Sequence, residues 1–86
     1  MRNLKFSNEG WDDYLDWQGH DKKTLRKIND ILKEVCRTPY TGVGKPEALK
    51  HNYSGLWSRR IDEKNRLVYK IKDDQIVIFC CRDHYA

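Results

Sequence analysis

Eighty-six residues leave room for one domain and little else. Hydrophobic residues make up a lean 38%, yet three Trp, five Tyr and two Phe let a small core close and exclude a disordered chain. Lys and Arg outnumber Asp and Glu 17 to 13; no apolar run approaches the ~20 residues of a membrane span, and Arg2-Asn3-Leu4-Lys5 lacks the apolar stretch of a secretory signal, so one cytoplasmic domain over 1–86 is expected.

Arg2 to Phe6 reads as a short first strand with Leu4 and Phe6 on one face. Ser7 offers an N-cap oxygen and Glu9 sits in the first turn of a helix, where the dipole favours an anion. Trp11, Tyr14, Leu15 and Gln18 share one face of that helix, and Asp12, Asp13 and Asp16 are expected to face away. Gly19-His20 should break it, with Asp21 capping the next. Leu25, Ile28, Ile31, Leu32, Val35 and Cys36 keep helical spacing over three turns until Thr38-Pro39 stops them. Residues 38–46 hold two Gly and two Pro and read as a loop.

The second half is strand-rich. Glu47 to Lys50 begins a strand, Asn52 to Gly55 turns, and Leu56 to Ile61 is a strand. Residues 62–65 turn the chain into Arg66 to Lys72, where Leu67, Tyr69 and Ile71 alternate with basic residues. Asp73-Asp74 makes a tight turn, because Asp tolerates positive φ. Gln75 to Arg82 is nearly all apolar and is expected to be a central strand buried on both faces. The string β-α-α-β-β-β-β predicts an α+β domain, an antiparallel sheet packed on two N-terminal helices.

Charge is segregated along the chain. Residues 1–21 carry two basic and five acidic residues, residues 22–60 ten and three, and residues 61–86 five of each. A basic middle suits a polyanion or an acidic protein partner, although Lys22, Lys23, Arg26, Lys27 and Lys33 also fit a solvated helix face. In the sheet half, Glu47, Lys50, His51, Arg59, Arg60, Arg66, Arg82, His84 and Tyr85 form a polar set that periodicity does not explain. Strand parity sets Ser58 and Arg60 against Trp57, Arg59 and Ile61. With Trp57 and Ile61 inward, Arg60 and Arg66 lie side by side on the open face. Two like charges there are unfavourable unless an anion sits between them, which points to a phosphate or carboxylate ligand.

Cys80, Cys81 and His84 offer metal-ligating atoms, but adjacent strand residues point to opposite faces, so no metal is expected. The odd cysteine count and missing signal argue for reduced thiols. A Cys81–His84 nucleophilic pair lacks a strained elbow and a third orienting residue. RNA phosphate chemistry without a metal needs a base, an acid and cations, because the ribose brings its own nucleophile. Glu47, His84, Arg66, Arg60 and Lys50 can supply those parts.

Several stretches carry a resemblance: Trp11-Asp12-Asp13-Tyr14-Leu15-x-Trp17-Gln18, Arg37-Thr38-Pro39, Gly42-x-Gly44-Lys45-Pro46-Glu47-x-Leu49-Lys50-His51-Asn52, Gly55-x-Trp57-Ser58-Arg59-Arg60-Ile61, Arg66-Leu67-Val68-Tyr69 and Cys81-Arg82-x-His84-Tyr85. In order and spacing they resemble the Txe/YoeB family of type II toxin–antitoxin systems over essentially the whole chain. The resemblance implies a RelE-like fold, similar to microbial ribonucleases, and a toxin that cleaves mRNA in the ribosomal A site. The implied chemistry is 2′-OH attack on the adjacent phosphate, leaving a 2′,3′-cyclic phosphate and a 5′-OH. Matched by position, Glu47 looks like the general base, His84 the general acid, Arg66 the main stabiliser of the phosphorane and Tyr85 the residue that positions the phosphate or a base. Lys50, His51 and Arg60 are assigned to substrate binding. The family also implies a YefM-like antitoxin, a homodimer and no cofactor.

The sequence departs from the resembled pattern in three places: Ala86 follows the tyrosine, Lys64-Asn65 replaces an acidic residue and a histidine, and Ala48 stands where proline occurs. The competing reading is a non-catalytic RNA- or protein-binding module, with Tyr40, Tyr53 and Tyr85 as stacking platforms. A transcriptional regulator is disfavoured by the lack of a helix-turn-helix.

Overall fold

The computed structural model describes residues 1–83. In chain order the elements are β1 (Asn3–Phe6), α1 (Asn8–His20), α2 (Lys22–Val35), β2 (Glu47–Ala48), a 3-10 turn at His51–Tyr53, β3 (Trp57–Arg60), β4 (Arg66–Lys72) and β5 (Gln75–Cys80). The five strands form one sheet in the order β1-β5-β4-β3-β2. The α+β class and the β-α-α-β-β-β-β order agree with expectation. The sheet is mixed rather than wholly antiparallel, because β1 runs parallel to β5. The chain leaves β1 through both helices and returns as a meander, so its last strand lies beside its first. Parallel partners about 70 residues apart in the chain carry no local sequence signal.

Ser7 caps α1 as expected: its Oγ accepts the Gly10 amide at 3.0 Å and donates to the Phe79 carbonyl at 3.0 Å. α1 ends at His20, at the expected Gly19-His20 break. Asp21 alone makes the junction. Its amide donates to the Trp17 carbonyl, closing α1, and its carboxylate accepts the Lys23 and Thr24 amides and the Thr24 hydroxyl, opening α2. Those hydrogen bonds, led by the Thr24 hydroxyl, hold its carboxyl below the usual range.

The packed stripe of α1 is Gly10, Asp13, Tyr14 and Trp17; of the predicted Trp11, Tyr14, Leu15 and Gln18 face only Tyr14 belongs to it, with Trp11 47% and Leu15 45% exposed. Gly10 explains the rotation, since a Cβ there would lie 2.4 Å from the Ile78 carbonyl oxygen, so the helix backbone can seat directly on β5. The α2 prediction holds: Ile28, Ile31, Leu32 and Val35 are buried against Leu67, Tyr69, Ile76 and Ile78. β5 alternates rather than being buried on both faces, with Ile76, Ile78 and Cys80 in and Gln75 and Phe79 out. It lies between β1 and β4, and the central place belongs to β4. All three cysteines are free and buried. No described helix is long and apolar enough to cross a membrane.

Candidate active site

The loop ahead of Glu47 is built around one buried side chain. Arg59 has no solvent exposure, and each of its five donors is placed. Nη1 bonds Glu34 Oε1 at 2.6 Å and the Val43 carbonyl at 3.3 Å, Nη2 bonds the Thr38 and Thr41 carbonyls, and Nε reaches the Tyr69 hydroxyl at 3.3 Å. The Tyr69 hydroxyl donates to the Pro39 carbonyl at 2.6 Å, and Glu34 Oε1 also accepts the Val43 amide at 2.7 Å. The Val43 amide first, then Arg59, keeps the Glu34 carboxyl below its ordinary range. Arg59, grouped by sequence with the chemistry-bearing residues, therefore holds the 38–46 loop from within. Parity had placed it inward beside Trp57, and parity was the better guide.

The loop delivers Glu47 to the sheet edge, where it pairs with Ser58, which in turn pairs with Val68. Cross-strand partners share a face, and Arg60 lies two residues beyond Ser58 on that face. Arg60 pairs with Arg66, as the sequence predicted. The Arg60 amide donates outward to the Gly44 carbonyl at 2.7 Å, and the Arg66 amide outward to the Asp83 carbonyl at 2.7 Å. Neither amide is spent on the other strand, so this is a narrow, non-hydrogen-bonded pair, the kind that brings side chains closest. Arg60 is exposed and Arg66 half-buried. Strand spacing puts Glu47 about 12 Å from Arg66 at Cα, a gap that the long side chains can narrow to the span of one phosphodiester.

Lys50 and His51 are exposed on the excursion that follows β2, closed at its base by the Leu49 amide on the Leu56 carbonyl at 2.9 Å. His51 takes a positive φ of 58°. They sit at the same sheet edge as Glu47, and among the described residues no hydrogen bond or ion pair ties either to the arginine pair. His84 and Tyr85 lie outside the described residues. Beside Val68 the open face continues into a depression lined by Ser7, Glu9, Tyr53, Leu56, Val68 and Phe79. Tyr40, proposed as a stacking platform, rests edge-on against Trp57 with ring centroids 5.2 Å apart.

Beyond β5 the chain is held by α1 and by the β3–β4 turn. The Cys81 amide donates to Asp13 Oδ2 at 3.1 Å, and Trp17 Nε1 donates to the Cys81 carbonyl at 2.8 Å. Arg82 pairs with Asp16. The Asp83 amide donates to Asn65 Oδ1 at 2.7 Å. Sequence reasoning sent Asp13 and Asp16 to solvent and missed this role; the only signal available was the i, i+4 spacing of Asp13 and Trp17. Burial raises the Asp13 carboxyl, and burial pushes the Cys81 thiol up to about 12. A thiol so placed has almost no thiolate at neutral pH, which removes Cys81 as a nucleophile. Among the described residues one group carries metal-ligating atoms close together: Glu9, Asp13 and Cys80, within 4.8 Å. It differs from the Cys80, Cys81 and His84 set weighed from sequence.

The YoeB-like toxin of bacterial type II toxin–antitoxin systems matches residues 6–85. The chain is 58% identical over 82 residues to Toxin YoeB of Escherichia coli O6:H1, covering 95% of this chain and 98% of that one. A YoeB/ParE toxin from Agrobacterium tumefaciens superposes with a TM-score of 0.94 at 41% identity, covering 96% of this chain and 99% of that one. YoeB from Staphylococcus aureus is solved as a dimer (TM-score 0.89, 45% identity, 98% of both chains) and as a YoeB–YefM complex (0.88, 43%, 99% of both). The fold is RelE-like, and the chain belongs to the YoeB-like toxin family of bacterial type II toxin–antitoxin systems.

Proposed function

We propose that this chain is a ribosome-dependent mRNA endoribonuclease that halts translation by cutting in the A site. The observation that carries the reading is the narrow Arg60–Arg66 pair on the face that also bears Glu47, an arrangement that is costly unless an anion occupies it. Glu47 takes the proton from the ribose 2′-OH. The 2′-oxygen then bonds to phosphorus as the P–O5′ bond breaks, and His84 protonates the leaving 5′-oxygen. Arg66, assisted by Arg60, stabilises the charge that gathers on the phosphorane oxygens. Lys50 and His51 hold the flanking backbone at the β2 edge, Tyr85 positions the phosphate or an adjoining base, and the depression over Val68 accepts an apolar base face. Product is a 2′,3′-cyclic phosphate and a 5′-OH. No metal is required, because the substrate supplies its own nucleophile.

The basic 22–60 segment suits an antitoxin with an acidic, largely disordered tail, similar to the YefM that partners the Staphylococcus aureus YoeB. A homodimer is proposed on the same likeness, and the site of action, translating ribosomes, is cytoplasmic.

Analysis of RNA ends tests the reading. Ribosomes carrying mRNA should yield cyclic-phosphate 3′ ends with the parent protein, in buffers where chelation of added metal leaves the ribosome intact. Glu47→Ala, Arg66→Ala and His84→Ala should each lower the cleavage rate by about 100-fold or more, the scale of lost acid–base or oxyanion-type stabilisation. Full activity in all three, or binding without cyclic-phosphate ends, selects a non-catalytic binding module instead.

A further inference from the structure

β5 ends at Cys80, so the backbone groups of the residues after it lose their sheet partners and need others. They find them in an alternating clamp. Asp13 and Trp17, one helical turn apart on α1, take the amide and the carbonyl of the same residue, Cys81, at 3.1 and 2.8 Å. Two residues on, Asn65 Oδ1 accepts the Asp83 amide and the Arg66 amide donates to the Asp83 carbonyl, both at 2.7 Å. Between them Arg82 pairs with Asp16. A core-facing helix stripe would ordinarily use Leu and Phe at the Asp13 and Trp17 positions. Here the stripe carries a half-buried carboxylate and an indole N–H, and both polar atoms are spent on one backbone unit. Backbone beyond a last strand frays unless tied down, and a core does not need it held. A catalytic constellation does, to within about 0.5 Å.

We propose that Asp13 and Trp17 are positioning residues of the active site, clamping the Cys81–Asp83 segment against Arg66 so that the residues following it, His84 and Tyr85, act from a fixed anchor. This rests on the endoribonuclease reading. It gives the Trp11–Gln18 motif a purpose that core packing alone leaves unexplained, since Trp11 and Leu15 are exposed while Asp13 and Trp17 face the segment.

The test uses three variants of the full chain: Trp17→Phe, which keeps a smaller aromatic ring and removes the donor; Asp13→Leu, which removes the acceptor; and Asp13→Asn, which keeps one. Each is made in the parent and in a His84→Ala background, and single-turnover cleavage on mRNA-loaded ribosomes is read beside KM and the melting temperature. Trp17→Phe and Asp13→Leu should lower the rate constant by about 10- to 100-fold, the usual scale for a reacting group displaced by about 1 Å, with KM within about twofold of the parent. Asp13→Asn should restore most of the rate. In the His84→Ala background each loss should shrink severalfold, because the clamp acts mainly through that residue and only the share carried by Tyr85 remains. Equal losses in both backgrounds mark a general structural role and overturn the proposal. So do rates within about twofold of the parent while His84→Ala is inactive, an outcome that leaves the nuclease reading standing. If His84→Ala cleaves like the parent, the acid assignment falls and the clamp proposal with it. Should Trp17→Phe be unfolded at the assay temperature, the Asp13→Leu and Asp13→Asn pair decides alone.

Discussion

A guanidinium without solvent contact is tolerated only when its donors are engaged and its charge is met, and Arg59 meets both conditions with one carboxylate and a set of loop carbonyls. The asymmetry of the pair has a consequence. Glu34 has a side chain 37% exposed and would be taken for a dispensable surface acid, yet its loss strands a buried cation. Glu34→Ala should therefore cost about 3 kcal/mol, toward the lower end of broken buried pairs because water reaches one side, and Glu34→Gln distinctly less, since it keeps an acceptor; urea unfolding of both variants measures this. The pH dependence follows the same group. Its folded carboxyl lies below the ordinary carboxylate range, so the unfolded chain binds the proton first, and the stabilisation is complete above that range. It is lost as pH falls through the lower folded value. Acid titration of stability should accordingly be shallower in Glu34→Gln than in the parent; identical acid limbs would show that the carboxylate contributes nothing.

At the level of elements, the loop and the strands it feeds share one geometric constraint. Gly44 has φ +82°, its carbonyl receives the Arg60 amide, and a Cβ there would lie 2.7 Å from the Arg60 carbonyl oxygen. Gly44→Ala should cost about 1–3 kcal/mol in strain and should also lower cleavage more than Gly55→Ala, whose positive φ of 96° is equally strained but whose added Cβ meets nothing within 4 Å. Comparing the two variants by thermal melt and cleavage rate separates strain from displacement of Arg60. What the sequence revealed at this scale follows from how far each signal reaches. α2 was legible because one apolar stripe on a long helix is buried by one sheet. α1 was not, because its packed stripe contains a glycine and an aspartate, which a count of apolar residues turns toward water. The Arg60–Arg66 pair was legible because only five residues, Ile61 to Asn65, separate the two positions, so a short hairpin brings them together. The parallel β1–β5 pairing was not, because it depends on where a helical crossover sets the chain down.

For the whole molecule, charge is arranged by element rather than spread. Lys22, Lys23, Arg26 and Lys27 are all exposed on the first half of α2, while the acidic residues of 1–21 are partly consumed locally: Asp13 and Asp16 by the segment after β5, and Asp21 by its cap. The basic charge of the middle segment is thus concentrated on one exposed helix face. If those four cations meet RNA phosphates on the ribosome, each releases counterions on binding, and log affinity should fall linearly with log salt. Replacing all four by Gln should flatten that slope by about 3, at roughly 0.7–0.9 per contact. The melting temperature should stay nearly constant, because exposed charges contribute little to stability. Ribosome binding measured over a salt series checks both halves of the statement. An unchanged slope would assign the basic α2 face to ordinary solvation and leave RNA encounter to Arg60 and Arg66 of the open sheet face and Lys50 at its edge, whose replacement should then flatten it.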